Sequence, residues 1–190
     1  MNIEEVSCVV VVDEHRKNVP FTSMTGMTVS ETPEDHPPKA WVRIDPRGSL
    51  SPLLLASPHS GRHYPAIMRD KLKVPLEDLA QTEDAFVDDL FSASSIAGCV
   101  MVKAMYARAY VDLNRDSREL DPAMIDGKPP RACSLPTPRV EAGLGCLPRI
   151  GASGRNIYQR KLTPDEVENR LAQVYDPYHA EIRRQLMEMR

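Results

Sequence analysis

Three short stretches of this 190-residue chain hold residues able to do chemistry. The first is Pro58–Pro65, P-H-S-G-R-H-Y-P, with His59 and His63 inside it. The second is the carboxylate pair Glu83-Asp84, and the third is Asp112-Leu113-Asn114-Arg115-Asp116. Imidazole and carboxylate are ligands for a divalent metal. Arginine can grip a carboxylate with two parallel bonds, and asparagine adds a neutral donor. Each stretch also has a plainer reading. His59 can bond backbone within its turn. Glu83 and Asp84 can sit in a first helical turn, where the helix dipole favours acids by a few tenths to about 1 kcal/mol. Arg115 can pair with Asp112, Asp116 or Glu119.

The elements around these stretches decide whether they meet. Leu53-Leu54-Leu55-Ala56 leads straight into the His59 loop, so Pro52–Ser57 reads as a buried strand ending in a polar turn. Thr82–Ala97 reads as a helix. Thr82 caps it, its acids lie in the first turn, Phe86, Val87, Leu90, Phe91 and Ser94 share a face, and Gly98 ends it. Cys99–Ala104 and Ala109–Leu113 read as two further strands. Strand, helix and strand at this spacing argue a βαβ unit. In such sheets ligands collect beyond the carboxyl ends of the strands, where the three stretches could share one crevice.

The rest of the chain is less regular. Val6–Val12 could form a strand, and Trp41–Ile44 alternates like an edge strand. Residues 18–40 are polar and rich in Pro, Thr and Ser, and read as loop or disorder. His15 and His36 have no clustered partner and read as solvent-exposed. Leu76–Leu79 resembles a helical turn. Residues 116–155 carry prolines and glycines throughout, and a loop of that length is usually functional. Its Arg131, Arg139 and Arg149 serve either solubility or anion contact. Thr163-Pro164-Asp165-Glu166 has a capping-box layout, and Val167, Leu171, Val174, Tyr178, Ile182 and Leu186 form an apolar stripe. Asp176-Pro177 is expected to kink or restart that helix, with Asp176 as a cap.

Composition narrows the class. A net charge of −3 gives no bias toward nucleic acid or an anionic membrane. No apolar run approaches the roughly 18 residues of a spanning helix. Acids precede the N-terminal apolar run, the wrong charge order for a secretory signal. The four cysteines lack C-x-x-C spacing, and a reducing cytoplasm fits them best.

Taken together, PHSGRHYP, TEDAFVDDLF, ARAYVDLNRDSRELDPAMI, EAGLGCLPR and PYH resemble the N-formylglutamate amidohydrolase family in order and spacing, from about Ser51 to His179. The resemblance implies a mixed-sheet α/β fold with helices on both faces, like that of zinc carboxypeptidases. It implies one zinc ion and hydrolysis of N-formyl-L-glutamate to glutamate and formate, commonly in histidine degradation. His59 then matches the first zinc ligand. Aligning through Val87-Asp88 makes Asp84 rather than Glu83 the second. Asn114-Arg115 looks like a pair gripping a substrate carboxylate, with Arg108 or Arg149 for the other carboxylate. Tyr158 and His179 also fall in family blocks.

The resemblance also sets expectations about extent. Residues 1–48 read as an N-terminal extension and 49–190 as the N-terminal portion of the domain. The third zinc ligand and the general base are expected beyond Arg190, so the fold is expected to be incomplete there. Alternatives are an inactive homologue acting through binding, or a hydrolase of another N-acyl amino acid. An uncovered sheet edge would favour a homo-oligomer.

Overall fold

The computed structural model describes residues 37–45, 53–91, 98–133 and 137–188. The expected strand Val6–Val12, His15, His36 and residues 92–97 of the expected helix lie outside the described residues.

Three strands form a small mixed sheet in the order β1-β3-β2: β1 (Trp41–Ile44), β2 (Leu54–Ser57) and β3 (Val100–Ala104). β1 runs antiparallel to β3, and β2 runs parallel to it. The parallel pair realises the βαβ expectation, because parallel neighbours need a long crossover between them. β3 is central and buried, as its apolar run Val100-Met101-Val102 requires. Val102 and Ala104 join the main core, with Trp41 and Leu54 packed against it.

The long C-terminal helix closes this core. It comprises α5 (Pro164–Arg170), a π turn (Leu171–Tyr175) and α6 (Asp176–Glu188). Its start is the expected capping box: Thr163 Oγ1 accepts from the Glu166 N–H at 3.2 Å, and the Glu166 carboxylate accepts from the Thr163 N–H at 2.8 Å. Val167, Leu171, Val174 and Tyr178 are buried. Each apolar side chain buried there is worth roughly 1.5–3 kcal/mol. α6 packs on β2 and β3.

At Asp176-Pro177 the expected kink or restart takes the form of the π turn, after which α6 begins, and the expected Asp176 cap is corrected. Asp176 keeps helical angles (φ −62°, ψ −44°), and the helix continues to Glu188. The Asp176 N–H bonds back five residues to the Leu171 carbonyl. A proline ring clashes with the carbonyl four residues before it. Widening the turn immediately ahead of Pro177 relieves that clash. The Asp176 carboxylate pairs instead with Arg131, at 2.7 and 3.0 Å.

Two further expectations are corrected. Ala109–Leu113 is not a strand. Tyr110 N–H turns back to the Ala107 carbonyl at 2.9 Å, and Asp112 N–H bonds the Cys146 carbonyl at 2.7 Å. All five residues are buried, so their apolar pattern reflects burial from every side. The helix expected from Thr82 is the short α3 (Val87–Leu90) among the described residues. Thr82 does not cap it; its hydroxyl donates to the Leu79 carbonyl of α2 (Leu76–Ala80), which follows the short α1 (Ala66–Arg69). Phe86, at φ +66°, turns the chain immediately before α3. Phe86 and Leu90 are 61% and 72% exposed, so the expected apolar face is not a buried one.

The described residues of 116–155 form no strand. They hold a 3-10 turn (Pro122–Met124), the short α4 (Pro138–Glu141) and isolated bridges from Ile125 to Leu162 and from Ile150 to Asn156. Arg131 spans Glu168 and Asp176, tying this region to the C-terminal helix.

Candidate active site

The site begins where β2 ends. Ser57 hydrogen-bonds Ser60 through their hydroxyls, curling the chain so that His59 points inward. Gly61 allows the next step. A Cβ there would lie 2.1 Å from the Tyr106 carbonyl oxygen, so only glycine lets the loop run this close to the end of β3. His63 then pairs with that segment: its N–H donates to the Met105 carbonyl at 2.9 Å, and its carbonyl accepts from Ala107 at 3.0 Å.

His59 is 6% exposed and lies between two carboxylates. Its Nδ1 is 3.2 Å from Asp84 Oδ2, and its Nε2 is 2.8 Å from Asp112 Oδ1. The segment Thr82–Phe86 is bent so that Asp84 reaches it, and the Asp84 N–H bonds the His59 carbonyl at 3.2 Å. Burial works against a charged His59, but bonds to Asp112 and Asp84 outweigh it and raise the imidazole pKa. The His59 contact, more than burial opposes it, holds the Asp84 carboxyl below its ordinary value.

Asp112 collects the remaining groups. Oδ1 accepts from His59 and from the Asn114 backbone N–H at 2.9 Å. Oδ2 accepts from Arg108 Nε at 2.9 Å, and Arg115 Nε lies 3.8 Å away. Burial would push this carboxyl up. The His59, Arg108 and Asn114 contacts reverse that and depress its pKa. The Arg115 Nε is buried without a hydrogen-bond partner among the described residues, and Asn114 is exposed.

His59 and Asp84 have the residue types and spacing of two ligands in a zinc shell. Zinc–nitrogen and zinc–oxygen distances near 2.0–2.2 Å in a tetrahedral shell put two ligand atoms about 3.4 Å apart. The 3.2 Å between His59 Nδ1 and Asp84 Oδ2 is close to that. A metal-binding histidine also normally donates its other ring N–H to a carboxylate. Asp112 is that carboxylate in position. Among the described residues no group of three His, Cys, Asp or Glu side chains could hold a metal. His63 packs edge-on against Tyr106. His179 Nε2 donates to the Leu113 carbonyl at 3.0 Å, so neither histidine joins the pair.

The structure brings His59, Asp84, Arg108, Asn114 and Arg115 together around Asp112. Glu83 turns away and accepts from the Tyr64 hydroxyl. Arg149 is held elsewhere, with Nε on Asp121 at 2.7 Å and longer bonds to Asn156 and the Glu141 carbonyl. Tyr158 accepts from Arg170 at 2.7 Å. Asp112 is the residue that reading the sequence assigned only as a salt-bridge partner. Its spacing, two residues before Asn114, was the available signal.

Known proteins share this arrangement's sequence frame. A family model described as N-formylglutamate amidohydrolase matches residues 51–190. The N-formylglutamate deformylase of Pseudomonas putida is 30% identical over 141 residues, 73% of this chain and 46% of that protein. The crystal structure of N-formylglutamate amidohydrolase from Ralstonia eutropha JMP134 superposes with a TM-score of 0.72 at 34% identity, covering 79% of this chain and 52% of that one. The chain thus spans about half the length of these relatives. The match takes in the His59 loop, the Asp84 turn and the Asp112–Arg115 segment alike, and the chain belongs to the N-formylglutamate amidohydrolase family.

Proposed function

We propose that this chain serves the zinc-dependent hydrolysis of N-formyl-L-glutamate to L-glutamate and formate. The observation that carries the reading is the buried His59 held between Asp84 at 3.2 Å and Asp112 at 2.8 Å. His59 would hold zinc through Nδ1, and Asp84 through Oδ2. When bound, zinc supplies Lewis-acid polarisation and activates water near neutral pH.

The chain's own residues do the rest. Asp112 fixes the tautomer of His59, leaving Nδ1 with its lone pair toward Asp84, and orients the ring. Arg115 and the exposed Asn114 take one substrate carboxylate. A dicarboxylate needs a second cation. Arg108, bonded to the same Asp112 carboxylate, is better placed for it than Arg149, which is committed to Asp121. Asp112 thereby spaces the two guanidinium groups while holding His59.

The test is zinc content and N-formylglutamate turnover, each measured on the chain and on His59→Ala and Asp84→Ala. The reading expects zinc binding that falls at least about a hundredfold in either variant. It fails if both variants bind zinc as the parent does. N-formylaspartate and N-acetylglutamate in the same assay decide between formylglutamate and another N-acyl amino acid.

A further inference from the structure

Three side chains on one helix reach three carbonyls of one loop. Arg170 Nη1 donates to the Tyr110 carbonyl at 3.2 Å, Tyr175 to the Arg115 carbonyl at 2.7 Å, and His179 Nε2 to the Leu113 carbonyl at 3.0 Å. The loop between them carries Asp112, Asn114 and Arg115. Rings reinforce the set. Arg170 stacks over Tyr110, with 4.4 Å from its guanidinium carbon to the ring centroid, and Tyr175 lies 4.2 Å from His179, centroid to centroid.

A regular α-helix would not align these residues. Five residues of α-helix turn through about 500°, which leaves Tyr175 about 140° round from Arg170. The π turn Leu171–Tyr175 takes in one residue more than an α turn, with the Asp176 N–H bonded to the Leu171 carbonyl five residues back, so Tyr175 comes to lie over Arg170. His179, four residues further on, continues the same face. The feature that accommodates Pro177 is also the one that sets this register.

We propose that Arg170, Tyr175 and His179 are positioning residues, and that the π turn sets them as a clamp fixing Asp112, Asn114 and Arg115 in the site. The proposal rests on the functional reading above for what those three residues do. The clamp itself rests only on the bonds.

Hydrogen–deuterium exchange of the full chain tests it, read on the amides of residues 111–117 against those of β3. Tyr175→Phe is expected to speed exchange in 111–117 about tenfold and leave β3 unchanged. Replacing His179 with Leu acts alike, while Gln, which keeps a donor, restores protection. In a hydrolysis assay these variants raise KM more than they lower kcat. Unchanged protection in 111–117, or equal loss of protection in β3, overturns the clamp. If the parent neither binds zinc nor turns over formylglutamate, the functional reading falls, yet the exchange result still decides the clamp.

Discussion

Asp112 accepts the Nε2–H of His59 at 2.8 Å across 53 residues of sequence, from a position only 2% exposed. That bond joins the two halves of the site. On one side stand His59 and Asp84, the proposed metal pair, and on the other the guanidinium groups of Arg108 and Arg115. The C-terminal helix holds the backbone on either side of Asp112, so under the proposed function metal and substrate geometry depend on one carboxylate.

Asp112→Asn keeps the shape and removes the charge. Partners of this kind, when mutated, typically cost 10–100-fold in metal affinity. The expected outcome is a loss of zinc affinity of about that size, measured by chelator competition. Asp112→Ala goes further, leaving buried His59 and half-buried Arg108 without this partner, and destabilises the fold by about 3 kcal/mol in urea titration, the low end for breaking a buried pair because Arg108 reaches solvent.

Arg115 makes one long ion pair at 3.8 Å, and its Nε has no hydrogen-bond partner among the described residues. Under the proposed function this guanidinium takes a substrate carboxylate. Removing one side of a buried charge pair costs roughly 2–5 kcal/mol. Arg115→Ala should therefore raise KM for N-formylglutamate by roughly a hundredfold. Lysine should restore it only in part, since it lacks the planar fork. An unchanged KM would remove Arg115 from the substrate site.

Local patterns were readable in the sequence, and long-range commitments were not. The Thr163–Glu166 capping box is a short-range signal and is realised, as is the stripe through Val167, Leu171, Val174 and Tyr178, whereas Ile182 and Leu186 at its end are only half-buried. The strands at Trp41, Leu54 and Val100 are short-range signals too. Ala109–Leu113 misled because residues buried on all sides look like a buried strand whatever their backbone does. The start of the expected helix misled because Thr82–Phe86 is bent toward His59, a partner that no local pattern encodes. Asp112 and the π turn were hidden for the same reason. Their partners lie tens of residues away or arise from a change of helical register.

Gly61 offers a direct test of the site loop. A methyl group added there would approach the Tyr106 carbonyl oxygen to 2.1 Å, and that oxygen is backbone, which cannot swing aside like a flexible side chain. Overpacking of this kind typically costs about 1–3 kcal/mol. Gly61→Ala should lower the urea midpoint accordingly and displace His59, so that zinc affinity falls with it. Gly154, where nothing lies within 4 Å of an added Cβ, is the control for the methyl group, though its φ of +74° adds backbone strain.

Glu166 makes acid sensitivity testable away from the site. Burial would raise its carboxyl, but Arg160, Lys71 and the Thr163 N–H hold it down to about 2, against an ordinary 4.5. A group depressed in the folded state stabilises the fold at pH values above its unfolded pKa. That contribution is lost as pH falls through the folded value. Stability should therefore decline between about pH 4.5 and 2. Glu166→Gln keeps an acceptor for the Thr163 N–H and removes the charge. The expected result is a lower urea midpoint at pH 7 and a shallower decline across that window. Equal acid slopes in parent and variant would assign the acid limb to other carboxylates.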